Sequence, residues 1–496
     1  MAVVVAVACA IAGGAGLATA DRGIERRATV VDGVPVETVR PVGAGGGLPG
    51  VVVVHGLAAS RQLMRGFADT LARRGYAVAL VDLAGHGAST RRLPGAGEGS
   101  AADARLDRDL DVAVRHLRAM PWVDGGRLGL VGHSLGAAAV IRYATAHPLV
   151  GATVAISQGQ MGVPASGPRD LLLIAGGLEF AGYRDGAVGA LRDAYPQGRP
   201  GVTYGDPRAG TARRAVIVGG AEHVGVLFSP RTHREAGAWF DAAFGRHSAP
   251  DAGVRAVQRA GSAMLLYLAA MLSFAAIASA LLGRPSGDRP ARRLSSKRAA
   301  AAATAAVVVA VPAMGILRLP LAVSGPLAGF FGVIGVVTLA FARGPGSPGG
   351  RPARRTIVGA AILGVLTVAS FAVPAQLGWA HAVPVGPRAW VLVLIALCTA
   401  LYCFGVEAMC AGHGRLVAMG IHAWTAMGVL AGLCLAVLLG VVSSFVLLVS
   451  PLIAGLLVWQ GVQAAALRAI QAPAWVTAVV GGVLLAWPIA ITMPIT

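Results

Sequence analysis

The chain has 496 residues, 55% hydrophobic and 13% charged, a balance that disfavours a wholly soluble protein. The formal net charge of +19 does not indicate a nucleic-acid binder. Lys297 is the only lysine, Ala, Gly and Arg abound throughout, and most of the excess charge falls in loops between apolar segments, where membrane topology accounts for it.

Residues 1–20 are apolar and long enough to cross a bilayer as a helix. They end Ala18-Thr19-Ala20, a small-x-small pattern that suits signal peptidase, but they lack a basic leading region and are followed by Arg22, Arg26 and Arg27. An uncleaved anchor is the preferred reading over a removed signal peptide. Residues 28–248 then read as one domain. Short Val/Ile/Leu runs at 50–54, 77–82, 127–131, 151–157, 171–175 and 215–219 predict strands. They alternate with helical stretches at 61–74, 104–119, 135–146, 184–194 and 231–244. Residues 28–42 predict a leading antiparallel pair. This alternation specifies an α/β class with a mostly parallel sheet covered by helices on both faces.

From residue 260 to 494 the chain changes character. After Arg255 it carries 15 basic residues and only two acids, Asp288 and Glu407. Apolar stretches at 260–283, 299–317, 320–342, 356–377, 389–409, 416–438, 441–459 and 474–494 predict an all-α transmembrane bundle of about eight helices. Gly329-x-x-Gly332-x-x-Gly335 sets small residues near one helix face, a spacing suited to close packing and equally to the glycine-rich composition of the chain. The loops 284–298 and 343–355 are Arg-rich and two spans apart. They therefore share a side, the cytoplasm by the positive-inside rule. The 28–248 domain is thereby expected outside the plasma membrane. Glu407 is expected to be a structural ion-pair or snorkelling residue near His413 and Arg415, with His422 left open. All five cysteines lie in or beside apolar segments, so no disulfide framework or cysteine metal site is expected in the 28–248 domain. No cluster has metal-ligand spacing and no cofactor fingerprint is present, so neither a metal nor a cofactor is expected.

The segment Gly132-His133-Ser134-Leu135-Gly136 lies between the run Leu128–Val131 and the small-residue helix that begins at Ala137. A serine held at the tip of so sharp a turn needs flanking residues without a Cβ. In a chain with 69 glycines the pentapeptide alone is weak evidence, and the strand before it and helix after it carry the weight. With this context the chain resembles the α/β-hydrolase superfamily of esterases, lipases and serine peptidases. Val51-Val52-Val53-Val54-His55-Gly56 is similar to the strand and loop that give that family its first oxyanion donor, which the resemblance puts at the Leu57 N–H, with the second at the Leu135 N–H. Asp82-Leu83-Ala84-Gly85-His86-Gly87-Ala88-Ser89 is similar to the turn after the following strand. Leu171–Glu179 is similar to the strand that ends in the family's acid, with Glu179 where Asp is usual, and Ala215–His223 is similar to the last strand and histidine loop.

The resemblance implies Ser134 as nucleophile, His223 as base and Glu179 as acid, in the family's chain order. Asp185 and Asp170 stay open as alternatives for the acid. His55 and His86 are expected to be structural members of their loops, with His55, Gly56 and His133 around the pocket. His147 and His233 are expected at surface helix ends. Only about a dozen residues separate strands 151–157 and 171–175, which leaves room for at most a minimal lid and implies an open site with one rim at Met161-Gly162-Val163-Pro164. The expected activity is carboxylic-ester hydrolysis on a small-molecule or lipid ester beside the bilayer. A serine peptidase or amidase is the alternative, and a membrane transporter or scaffold with a hydrolase-like regulatory domain is a third reading.

Overall fold

The computed structural model describes residues 1–95, 98–159, 162–283, 294–342 and 353–496. It divides into two compact units. One comprises Ile11–Leu265 with Ala375–His381 and Pro494–Thr496, and the other comprises Met1–Ala10, Leu266–Pro374 and Ala382–Met493.

The first unit is built on a nine-stranded sheet. Its strands are β1 (Ile24–Val31), β2 (Val34–Pro41), β3 (Leu48–Val54), β4 (Ala77–Val81), β5 (Val123–His133), β6 (Val150–Ile156), β7 (Leu171–Gly176), β8 (Thr203–Tyr204) and β9 (Arg213–Val218), in spatial order β1-β2-β4-β3-β5-β6-β7-β9-β8. β3, β4, β5, β6, β7 and β9 pair in parallel, while β1, β2 and β8 join antiparallel. β1 and β2 form the expected hairpin, starting earlier than residue 28. Its two-residue turn, Asp32-Gly33, takes positive φ at both positions, as a type I′ turn demands. The two-residue edge strand β8 is too short for a sequence pattern to reveal.

Four consecutive valines in β3 are fully buried because both sheet faces are covered. Val51 and Val53 point to one face, against α2 (Arg65–Arg73) and α6 (Pro230–Ala243), where they meet Phe67, Leu71, Trp239 and Phe240. Val52 and Val54 point to the other, against α3 (Gly99–Arg118) and α4 (Leu135–Ala146), where they meet Leu106, Leu110 and Val140. The period of two thus assigns alternate valines to separate cores, each contributing roughly 1.5–3 kcal/mol by burial. α5 (Ala181–Ala194) completes the second face beyond β7. Buried Glu37 on β2 accepts from Arg65 at 2.8 Å and from Arg26 at 2.6 Å. The tail residue Ile495 pairs with Gly85 and Leu93, on the loop after β4.

His233 departs from expectation. It is buried in the first turn of α6, stacks on Phe67 at 4.1 Å, and bonds Thr70 Oγ1 at 2.9 Å and the Leu227 carbonyl at 2.8 Å. The helix start faces α2 rather than water, so sequence position misleads there. His147, by contrast, stands half-buried just after α4 and contacts the Tyr143 carbonyl at 2.8 Å.

The second unit is helical, with α8 (Ser296–Ala313), α9 (Ser324–Ala342), α11 (Arg388–Cys410), α12 (Arg415–Leu438), α13 (Phe445–Ala469) and α14 (Ala474–Thr492) wholly within it and most of α7 (Gln258–Leu282) and α10 (Arg354–Gly378); α1 (Ala2–Ala20) is divided between the two units. Among the described residues eight helices are long and apolar enough to cross a membrane: α1, α7 and α9 to α14. All eight predicted C-terminal segments are helical, but α8 is not in that set of eight, since it is Ala-rich and opens with Lys297 and Arg298. α9 and α11 cross closely: a Cβ on Gly335 would lie 2.4 Å from the Leu401 carbonyl carbon. Glu407 pairs with Arg468 on α13 rather than with Arg415, because α11 and α13 end together. The arginines expected at 284, 289, 292, 293, 343 and 351 lie outside the described residues.

Candidate active site

The C-terminal ends of β3, β5, β6, β7 and β9 share one sheet edge, the usual location for ligand sites in open parallel sheets. At that edge β5 turns into α4 through Ser134, whose φ of 53° and ψ of −114° place it outside the comfortable regions for a residue with a Cβ. Close approach dictates the glycines on both sides. A Cβ on Gly132 would lie 2.2 Å from the Gly136 carbonyl oxygen, and one on Gly136 would lie 2.6 Å from the His55 carbonyl oxygen. The Ser134 N–H is held by the Ile156 carbonyl at 2.8 Å, which ties the turn to β6.

His223 follows β9 on a loop where Glu222 accepts from the Val224 N–H at 2.8 Å and from the Gly225 N–H. Its Nε2 lies 3.1 Å from Ser134 Oγ. Its Nδ1 faces Glu179 Oε2 at 3.6 Å, and among the described residues neither of these two buried atoms has a hydrogen-bond partner. A closure of a few tenths of an ångström would bring each to hydrogen-bond range of the other. Glu179 is anchored through its other oxygen, which accepts from Ser157 Oγ at 2.5 Å and from the Gly176 N–H at 3.0 Å. Of the alternatives for the acid, Asp170 sits at the far end of β7, where it accepts from the Ala212 N–H, and Asp185 is exposed on α5.

Gly56 packs directly on the serine turn, its would-be Cβ 3.0 Å from Ser134 Cβ, so Leu57 follows immediately at the serine. Leu135 is the first residue of α4, where N–H groups have no intrahelical acceptor. His55 does not open onto solvent. It is fully buried, donates from Nδ1 to the Gly56 carbonyl at 2.8 Å and accepts at Nε2 from the Leu83 N–H at 3.2 Å. Desolvation lowers its pKa and keeps it neutral, a clamp between two loops. His86 contacts the Ala84 carbonyl at 2.8 Å and is equally buried. Asp82 accepts from the Arg61 and Ala88 N–H groups at 2.7 and 3.0 Å and so shapes the turn after β4. His133 donates to the His223 carbonyl at 2.9 Å; burial and the neighbouring His223 lower its pKa to about 3. An uncharged His133 places no competing positive charge beside His223.

Two contributors escaped the sequence reading. Ser157, at the end of β6, holds Glu179 through its hydroxyl, and a strand-end serine carries no distinguishing pattern. Tyr183, on α5, lies with its ring 4.5 Å from the His223 ring, and only folding brings α5 over that loop. The segment between β6 and β7 forms no helix among its described residues, in keeping with a minimal lid. Of the expected rim, Met161 lies outside the described residues and Val163 turns inward to the core beside Ala137 and Ile141.

A match to a protein family agrees with this architecture. Residues 49–177 match the family of serine aminopeptidases called S33, an α/β-hydrolase family. A dienelactone hydrolase-like protein from Klebsiella pneumoniae superposes with a TM-score of 0.35 at 19% identity, covering 45% of this chain and 99% of its own. A hypothetical protein from Pseudomonas aeruginosa superposes with a TM-score of 0.34 at 15% identity, covering 44% of this chain and 94% of its own. No curated protein matches the chain significantly.

Proposed function

We propose that this chain, which carries an α/β-hydrolase domain with its S33 match over residues 49–177, is a membrane-bound serine hydrolase that cleaves carboxylic esters. The observation that carries the reading is the array Ser134 Oγ, His223 and Glu179, with gaps of 3.1 and 3.6 Å, around a strained turn. In this mechanism Ser134 Oγ attacks the ester carbonyl carbon while its proton passes to His223 Nε2. Glu179 holds the imidazole tautomer and stabilises the imidazolium. The Leu57 and Leu135 N–H groups receive the oxyanion, each contributing about 3 kcal/mol. The C–O bond then breaks, the alcohol leaves with the proton from His223, and water repeats the sequence to release the acid and restore Ser134.

The matched family's name favours a second reading, a peptidase. An aminopeptidase needs an acidic group for the substrate's terminal ammonium. Asp82 and Glu222 are each occupied by internal donors, and the free oxygen of Glu179 is directed at His223, which favours the ester reading. A lipidic or small ester at the plasma membrane is the proposed substrate, and the hydrolase unit is proposed to face away from the cytoplasm. That sidedness takes α8 and α9 as a pair of crossings between the Arg-rich loops.

Purified full chain exposed to a fluorophosphonate probe should label at Ser134, and Ser134→Ala should not label. Equal labelling of both removes Ser134 from its role. Hydrolysis of p-nitrophenyl esters beside aminoacyl amides then separates the two readings: faster turnover of amides overturns the ester assignment. Cleavage of the hydrolase unit by protease added to inverted vesicles, with none in intact cells, would overturn the sidedness.

A further inference from the structure

The helical unit holds a cavity of about 630 Å³ between α7, α12 and α13, within the range of small-molecule sites. Its α12 wall runs from Arg415, in the first turn, to Ala426, roughly 16 Å along the helix. The α13 wall runs from Leu457 to the helix end. α12 and α13 are consecutive and joined by a short turn at Gly440, so their chains run in opposite directions. The start of α12 therefore meets the end of α13, and Arg415 and Arg468 lie at one end of the cavity. The remainder is lined by small and apolar side chains, including Ala423, Ala426, Val458, Val462 and Ala465.

Charge at the arginine end is unbalanced. Glu407 is the only carboxylate in the described part of this unit, and it engages Nη1 of Arg468. Arg468 Nη2 is buried and has no hydrogen-bond partner among the described residues, and Arg415 has no ion-pair partner among them. His422, on the same wall, donates from Nε2 to Gln460 Oε1 at 2.6 Å, so its buried Nδ1, which has no partner among the described residues, is an acceptor and the two arginines alone supply donors for an anion. A buried guanidinium N–H without an acceptor is costly, and an anionic oxygen would complete it with a charge-assisted bond. An apolar channel capped by two guanidinium groups with a single carboxylate, Glu407, for the pair, set in helices apolar enough to span a bilayer, complements a molecule with one acyl chain and an anionic head. The volume suits one chain rather than two.

We propose that this cavity binds a single long-chain carboxylate, with its head at Arg415 and Arg468 and its chain between α12 and α13. The inference does not rest on the hydrolase reading, since none of these residues belongs to the unit that carries Ser134. The test is photolabelling of the full chain, in phosphatidylcholine nanodiscs, by a diazirine analogue of palmitate. Labelled peptides should map to 415–426 or 457–470. Palmitate should compete, and neutral hexadecanol should compete about tenfold more weakly, the ratio expected for one charge-assisted contact. Arg415→Gln, at an exposed position, should weaken labelling by about the same factor, and Ala426→Phe should fill the channel and abolish it. Equal competition by hexadecanol, labelling unchanged in Arg415→Gln, or stronger competition by two-chain phosphatidylglycerol overturns the proposal. The first two arms decide the matter if Ala426→Phe does not fold.

Discussion

Replacing Glu179 by Gln tests the proposed acid with minimal change of shape. Glu179 Oε1 accepts two hydrogen bonds, from Ser157 Oγ at 2.5 Å and from the Gly176 N–H at 3.0 Å. In Glu179→Gln the amide oxygen must keep that position, because an NH2 group there would face the Gly176 donor. The NH2 group then takes the place of Oε2 and points at His223 Nδ1, 3.6 Å away in the parent. It donates, so Nδ1 must accept, and the ring proton moves to Nε2. That tautomer cannot take the Ser134 proton. The expected loss in kcat is about 10⁴-fold, or roughly 5 kcal/mol of transition-state stabilisation. KM should change little, because Glu179 lies behind the histidine and is not exposed to substrate. The assay is p-nitrophenyl ester hydrolysis by the detergent-purified full chain, with the melting temperature measured in parallel. Adding Ser157→Ala frees one anchor of the amide and should restore part of the loss by allowing rotation. A folded Glu179→Gln protein within tenfold of the parent kcat would refute the tautomer argument and return the acid to another carboxylate.

Three further outcomes follow from the geometry. Gly132→Ala would drive a Cβ to 2.2 Å from the Gly136 carbonyl oxygen; it should cost 2 kcal/mol or more, of the order seen for strained backbone, and remove fluorophosphonate labelling, read by thermal shift and gel. Tyr183→Ala removes the ring packed on His223 and should lower kcat about fivefold, near 1 kcal/mol of cation–π stabilisation of the imidazolium, whereas Tyr183→Phe should stay close to the parent. For Glu37, burial alone would raise the pKa, but Arg65 and Arg26 outweigh it and lower it from 4.5 to about 2. Because the folded value is depressed, its stabilisation of roughly 3 kcal/mol is fully present above about pH 4.5 and fades as pH falls towards 2. Hydrogen exchange of β2 and α2 should show that loss in the parent; in Glu37→Gln the acid-dependent component should vanish and opening should already be easier at pH 7.

Local physics makes most of the architecture readable in the chain. The valine runs of β3 and the Leu/Ile runs of β7 have no other comfortable place than a sheet buried on both faces. The Asp32-Gly33 pair selects a tight hairpin turn, and the apolar stretches from residue 260 onward can only be helices. The order Ser134, Glu179, His223 is visible because each residue follows a strand, and parallel strands in one sheet end at one edge. These are properties of a few consecutive residues, and the sequence contains them.

Contacts between residues far apart in the chain belong to the tertiary structure alone. Whether Glu179, Asp185 or Asp170 faces His223 depends on which end of β7 and which side of α5 meets the β9 loop, and only the packed sheet places Asp170 at the opposite end. Ser157 becomes a support for Glu179 because β6 and β7 pair in register. His233 is buried because α6 lies on α2, and Glu407 finds Arg468, 61 residues on, because α11 and α13 end side by side. Pairing at such separations is decided by how all the elements pack together, and no short stretch of sequence contains that information.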